Sequence, residues 1–173
     1  MYLKIIGSLF LMLSATAIGF LKADELKQRV RCLQELKRMM VFLQGELRFH
    51  RASLPEAFEN VSERVEEPFR QFLKHLAERL ETREADRFDV VWSEMSEQLL
   101  QKEGFVKEDR QLLEMLQSSL GYLDLKMQTE TLNLAVLQVE DAIRLAKEQQ
   151  TVKGKVYQTM GVTFGALLTL LII

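Results

Sequence analysis

The sequence predicts an all-α fold, an antiparallel bundle of about six helices between an N-terminal and a C-terminal transmembrane helix, and three of its features lead there. Turn chemistry is scarce, with 8 glycines and 2 prolines in 173 residues, which disfavours a many-stranded fold. Apolar residues recur at spacings of three and four through most of the chain, the period of a helix face. Both ends are uncharged and largely apolar for about 17 residues, near the lower limit for a helix that crosses a bilayer. The averages, 47% hydrophobic residues and a net charge of -2, are those of an ordinary globular protein and hide this segregation.

Residues 1–21 hold one basic side chain, Lys4, ahead of the run Ile5 to Leu21. Ala15-Thr16-Ala17 has the form of a leader-cleavage site, but the run continues through Ile18, Gly19, Phe20 and Leu21. Basic Lys22, Lys27, Arg29 and Arg31 follow, so a retained anchor is expected. From Ala23 to about Arg51 nothing interrupts the chain, and Leu26, Val30, Leu33, Leu36, Met40, Leu43 and Leu47 step by three and four in one long helix. Ser53-Leu54-Pro55-Glu56 reads as a capping box with proline in the first turn. It opens a short helix whose apolar face is Leu54, Ala57, Phe58, Val61 and Val65. After Pro68, the stripe Phe69, Phe72, Leu73, Leu76 and Leu80 defines a third helix, with Arg70, Lys74, Glu78 and Arg79 on its wet side.

A charged link, Glu81 to Glu84, leads to a fourth helix carrying Phe88, Val91, Trp92, Met95 and Leu99, with Gly104 as its left-handed cap. The fifth begins near Lys107, carries Leu112, Leu113, Leu116 and Leu120, and stops at Gly121. Asp124 is placed to cap the sixth, in which Leu132, Val136, Val139, Ile143 and Ala146 recur. That helix runs on into the last apolar stretch, Tyr157 to Ile173. The expected division is a membrane helix at 1–21, a helical bundle at 22–155 and a second membrane helix at 156–173. Basic residues crowd the inner flanks of both runs, so the positive-inside rule puts the central domain in the cytosol with both termini outside. Ala15-x-x-x-Gly19 and Gly161-x-x-x-Gly165 are small-x-x-x-small patterns that let two transmembrane helices approach closely.

Catalytic spacing is missing. There is no glycine-rich phosphate loop, C-x-x-C, H-E-x-x-H or G-x-S-x-G. His50 and His75 have no second nitrogen or sulfur ligand a helical turn away, so no metal and no cofactor is expected. Cys32 is the single cysteine and forms no internal disulfide. The 25 carboxylates interleave with lysine and arginine, the pattern of solvated helix faces, and a near-neutral balance gives no pull towards nucleic acid. Gly45-Glu46-Leu47-Arg48 superficially resembles the phosphoacceptor motif of sensor histidine kinases, but glycine stands where that chemistry needs an imidazole.

The order of these features resembles the stage III sporulation protein AB family. The residues that carry the resemblance are Leu43-Gln44-Gly45-Glu46-Leu47-Arg48-Phe49, Ser53-Leu54-Pro55-Glu56-Ala57-Phe58, Trp92, Ser119-Leu120-Gly121 with Asp124 and Gln128, and Lys155-Val156-Tyr157 with Gly161-Val162-x-x-Gly165. The resemblance implies a subunit of the assembly joining mother cell to forespore, sited in the mother-cell-derived outer forespore membrane with its domain facing the mother-cell cytosol. It also implies a bundle similar to the F-type platform domain of type II secretion machines. The implied partners are a stage III sporulation protein AA-type cytosolic ATPase, other membrane channel subunits and membrane lipid, with room for a homo-oligomer. Leu120, Gly121, Asp124 and Gln128 are the partner-binding candidates it offers, and their alternative role is local, glycine ending one helix and aspartate capping the next. Two other readings stay open at this stage: a sensor or enzyme using His50 or Cys32, and a singly anchored exported helical domain.

Overall fold

The computed structural model describes residues 2–82, 87–102, 104–121 and 125–172. Six α-helices account for most of them, and there is no strand among the described residues. They are α1 (Tyr2–Gly45), α2 (Leu54–Ser62), α3 (Phe69–Glu81), α4 (Phe88–Leu100), α5 (Arg110–Leu120) and α6 (Leu125–Ile172). The expected cap Asp124 and the second half of the charged link Glu81 to Glu84 lie outside the described residues. The chain divides into two compact units, one formed by residues 1–30 and 144–173 and the other by residues 31–143.

In the first unit the beginning of α1 and the end of α6 run antiparallel at very short range. A Cβ built on Gly19 would lie 2.6 Å from the Tyr157 carbonyl oxygen and 3.1 Å from the Gly161 Cα. One built on Gly161 would lie 2.9 Å from the Ala15 carbonyl oxygen, and one on Gly165 would lie 3.2 Å from the Met12 carbonyl oxygen. Glycine is required here because backbone occupies the space a side chain needs. The surrounding apolar side chains Ile18, Met160 and Phe164 are exposed.

The expectation of a transmembrane helix at each end is corrected by the structure. Among the described residues no helix is long and apolar enough to cross a membrane. Several features of the two terminal runs go with this. Each terminal run has about 17 residues, roughly 25 Å of helix against a hydrocarbon core of about 30 Å. Hydroxyls punctuate both runs: Ser14 and Thr16 donate to the Phe10 and Met12 carbonyls, and Thr159, Thr163 and Thr169 to those of Lys155, Thr159 and Gly165. The helices continue without a break into charged turns at Lys22, Asp24, Glu25 and Lys27 and at Lys147, Glu148, Lys153 and Lys155. The membrane-anchored topology with both termini outside, and the outer-forespore-membrane location built on it, fall with those helices. Ala15, Gly19, Gly161 and Gly165 meet as a helix–helix seam without that setting.

The second unit is a helical bundle with an aromatic centre. Trp92 of α4 lies 5.2 Å from Phe72 of α3 in an edge-to-face arrangement, 5.7 Å from Phe88 and 6.4 Å from Phe58 of α2. Its indole N–H donates to the Leu113 carbonyl at 3.1 Å, so the only polar atom of the side chain is satisfied where it is buried. Around it are Leu33, Leu36, Met39, Met40 and Leu43 from α1, Leu73 and Leu76 from α3, Leu113 and Leu116 from α5, and Leu132, Ala135 and Val139 from α6, all essentially closed to solvent. In this unit α1 and α6 are tied by the Lys37–Glu140 ion pair at 2.6 Å and by Gln44 donating to Asn133 at 2.5 Å.

Several local details differ from the sequence reading. The first helix ends as an α-helix at Gly45, short of Arg51, because the backbone widens into a π-turn over Glu46–His50. Ser53 is the N-cap of α2 with extended backbone, but its hydroxyl makes no capping bond; Pro55 fits the first turn as expected. Gly104 does adopt positive φ (96°), several residues beyond the end of α4, whereas Gly121 closes α5 with ordinary right-handed angles (φ -74°).

Two glycines predict opposite responses to one added methyl. Gly45 is right-handed with open space where its Cβ would go, so Gly45→Ala should raise stability by about 0.5–1 kcal/mol. Gly19→Ala drives a methyl into backbone that cannot rotate away and should cost roughly 1–3 kcal/mol despite the better helix propensity. Urea unfolding of the full chain, with amide exchange to localise the second effect to residues 1–30 and 144–173, checks both.

Candidate interaction site

The residues singled out by sequence fall in four places. Leu120 is buried at the end of α5, Gly121 beside it is exposed, and Gln128 of α6 is 6% exposed with its amide donating to the Leu120 carbonyl at 2.8 Å. Leu120 and Gln128 are thus brought together, and the glutamine satisfies a carbonyl that the helix end leaves without an intrahelical partner. Asp124 lies outside the described residues. His75 is exposed on α3, and His50 is exposed in the π-turn. Cys32 is buried.

The most unusual chemistry in the second unit surrounds Glu46. Its carboxylate is 3% exposed, yet Oε1 lies 3.3 Å from a guanidinium nitrogen of Arg64, and Oε2 lies 3.1 Å from His50 Nδ1 and accepts from Asn60 at 3.2 Å. A buried carboxylate is costly unless it is paired and hydrogen-bonded. Here one partner lies in the turn itself and two on α2 and the residues just after it, so the satisfied charge also pins the turn to α2. The Glu46 backbone carbonyl takes part as well, accepting from Arg51 and, at 3.4 Å, from Ala52.

The geometry that results is strained and outward-facing. Arg51 sits at φ 53° and ψ 33°, a left-handed conformation that costs a non-glycine residue about 1–2 kcal/mol. Phe49 is 74% exposed, and the Arg48 guanidinium lies 5.3 Å from its ring centroid, a cation–π distance. Arg48, Phe49, His50 and Arg51 are all open to solvent in one short turn. The sequence reading missed this surface because periodicity carried the helix through to Arg51. The signal available was Gly45, a poor helix former placed where a stripe ended and charged residues began.

Nothing nearby assembles into a reactive centre. Among the described residues no group of three or more His, Cys, Asp or Glu side chains is arranged to hold a metal. A cavity of about 520 Å³ between α4 and α5 is floored by Leu100, Phe105 and Val106 and rimmed by the Glu97–Arg110 ion pair. The hydrogen bond from Arg110 holds the Glu97 carboxyl below the usual range, which is a surface pairing and not an acid poised to donate. Burial, reinforced by the charges of Asp109 and then Glu35, pushes the Cys32 thiol up to about 12, so no thiolate is available at neutral pH.

The class that the fold defines is an all-α helical bundle with a charged turn on its surface. The comparisons give the family. A profile described as Stage III sporulation protein AB (spore_III_AB) matches residues 4–173, and the chain belongs to that family. Stage III sporulation protein AB of Bacillus subtilis (strain 168) is 22% identical over 170 residues, covering 98% of this chain and 99% of the relative. A solved structure of Stage III sporulation protein AB (SpoIIIAB) superposes with a TM-score of 0.65 at 18% identity, over 72% of this chain and 98% of that one, and so shares the fold.

Two outcomes follow from the buried groups. Removing the Glu46 carboxylate leaves His50 and Arg64 exposed enough to return to water, so Glu46→Ala should lower unfolding free energy by about 1–3 kcal/mol, below the cost of orphaning a buried charge. Glu46→Gln should lose less, and urea denaturation reads both. For Cys32, the unfolded thiol ionises near pH 9 and the folded one near 12. The folded state therefore keeps a proton that the unfolded state loses, and stability contributed below pH 9 declines between pH 9 and 12 by up to ~1.4 kcal/mol per pH unit. The wild-type chain should fall more steeply with pH than Cys32→Ala across that window, and iodoacetamide should modify the native thiol at neutral pH far more slowly than the urea-unfolded one.

Proposed function

We propose that this chain is a non-catalytic scaffold subunit of a sporulation assembly, in which it positions a soluble motor relative to other subunits. The observation that carries the reading is membership of the Stage III sporulation protein AB family over residues 4–173, together with a helical bundle whose buried polar groups serve structure. Every buried polar side chain discussed above supports a turn or a helix end: Glu46 the π-turn, Gln128 the end of α5, and Asp109 the backbone N–H of Val106 at 2.9 Å. The partner this reading names is a cytosolic ATPase of the stage III sporulation protein AA type, alongside other subunits of the sporulation channel. Gly121, exposed beside the buried Leu120 and Gln128, is the part of the sequence-predicted contact set that a partner can reach; the Gln128 amide ties α6 to the Leu120 carbonyl next to it.

The test is co-purification of the full-length chain with the AA-type ATPase after co-expression. A stable complex, retained in Cys32→Ala and His50→Ala variants, is the expected result. Absence of a complex between two folded proteins, or loss of sporulation on replacing Cys32 or His50 with folding and binding intact, would overturn the scaffold reading.

A further inference from the structure

The turn at Glu46–His50 brings three unusual features together. A carboxylate is buried, a non-glycine residue is held left-handed, and a phenylalanine is left 74% exposed. Outliers of this kind persist where surrounding structure over-determines them, and they concentrate at functional surfaces. The network of Glu46 with His50, Asn60 and Arg64 is that over-determination. What it holds outward is a short cationic–aromatic run, Arg48-Phe49-His50-Arg51. Among the described residues neither the Arg48 nor the Arg51 guanidinium has an ion-pair partner; Arg48 has only the face of Phe49. Several other arginines of the unit are ion-paired, Arg79 with Glu94 and Arg110 with Glu97, while exposed Arg31 and Arg70 are not; what sets Arg48 and Arg51 apart is that they share one turn with an exposed phenylalanine.

We propose that this turn is the docking point for an acidic segment of a partner protein, one that brings carboxylates to Arg48 and Arg51 and an apolar side chain to Phe49. It rests on the scaffold reading and names the surface through which one contact is made. Charge complementarity selects the occupant. Guanidinium forks match carboxylates in geometry, and arginine and exposed aromatic side chains are the residue types that dominate interface energetics. A long polyphosphate strand fits poorly, because the cationic run is only Arg48 to Arg51 and exposed Glu56, Glu59 and Glu63 follow it in the chain with no further basic residue before Arg64. The patch is thus bounded to the reach of a few carboxylates.

The experiment uses the full-length chain and fluorescence anisotropy of a short fluorescein-labelled peptide built of glutamate and leucine. A lysine–leucine peptide and poly(U) RNA serve as alternatives, and circular dichroism checks that each variant is folded. Wild type should bind the acidic peptide in a salt-sensitive manner. The double reversal Arg48→Glu with Arg51→Glu should weaken binding about tenfold or more, and Phe49→Ala about threefold to tenfold. Reversal of exposed Lys74 on α3, Lys74→Glu, should leave binding unchanged. Failure of the wild type to bind the acidic peptide, tighter binding of poly(U), or undiminished binding by the double reversal or by Phe49→Ala overturns the proposal. If the double reversal also leaves the ATPase complex at wild-type yield, only this surface is lost and the scaffold reading stands; if the wild type forms no such complex, it is the scaffold reading that fails.

Discussion

One buried carboxylate decides how the second unit is put together. Glu46 lies where the long helix α1 stops being α-helical and the chain must turn back toward the short helices, and its two oxygens are shared among the turn, α2 and Arg64, two residues beyond α2. Burying a charge is favourable only where each lone pair finds a partner. The partners therefore fix the path of the chain from Gly45 to Arg64. Downstream of that joint, α2 is held so that Phe58 reaches the Trp92 cluster, and α3, α4 and α5 close around the same indole.

The first unit solves a different problem with different means. Two helix segments lie backbone against backbone over Ala15, Gly19, Gly161 and Gly165, and at Gly19 and Gly161 not even a methyl fits. Close approach of this kind rests on van der Waals contact of main chains. Polar networks specify the second unit, and small residues specify the first.

How far the sequence disclosed this can be read from particular residues. The helical stripes were legible because periodicity reports burial directly: Leu33, Leu36, Met40 and Leu43 on α1, Phe72, Leu73 and Leu76 on α3, and Leu112, Leu113 and Leu116 on α5 are all buried. On α6 the stripe named Val136, whereas the fully closed residue is its neighbour Ala135, a small side chain that hydropathy patterns weight lightly. The terminal runs misled because an uncharged run does not by itself measure either the length or the continuous apolarity that a membrane helix needs. The π-turn stayed hidden for another reason. Its cause is tertiary, a carboxylate meeting Asn60 of a helix that begins eight residues later and Arg64 just beyond that helix, and no local pattern announces a partner at that distance.

The account stands most directly on the claim that Glu46 holds the turn open to solvent in one conformation. Amide hydrogen exchange, compared residue by residue between the wild-type chain and Glu46→Ala, tests it. Protection should fall at residues 47–52 and along α2 while the Trp92 cluster and the Gly19–Gly161 seam exchange as before. Unchanged protection at Arg51 and Ala52, with the turn intact and its carboxylate gone, would contradict the account.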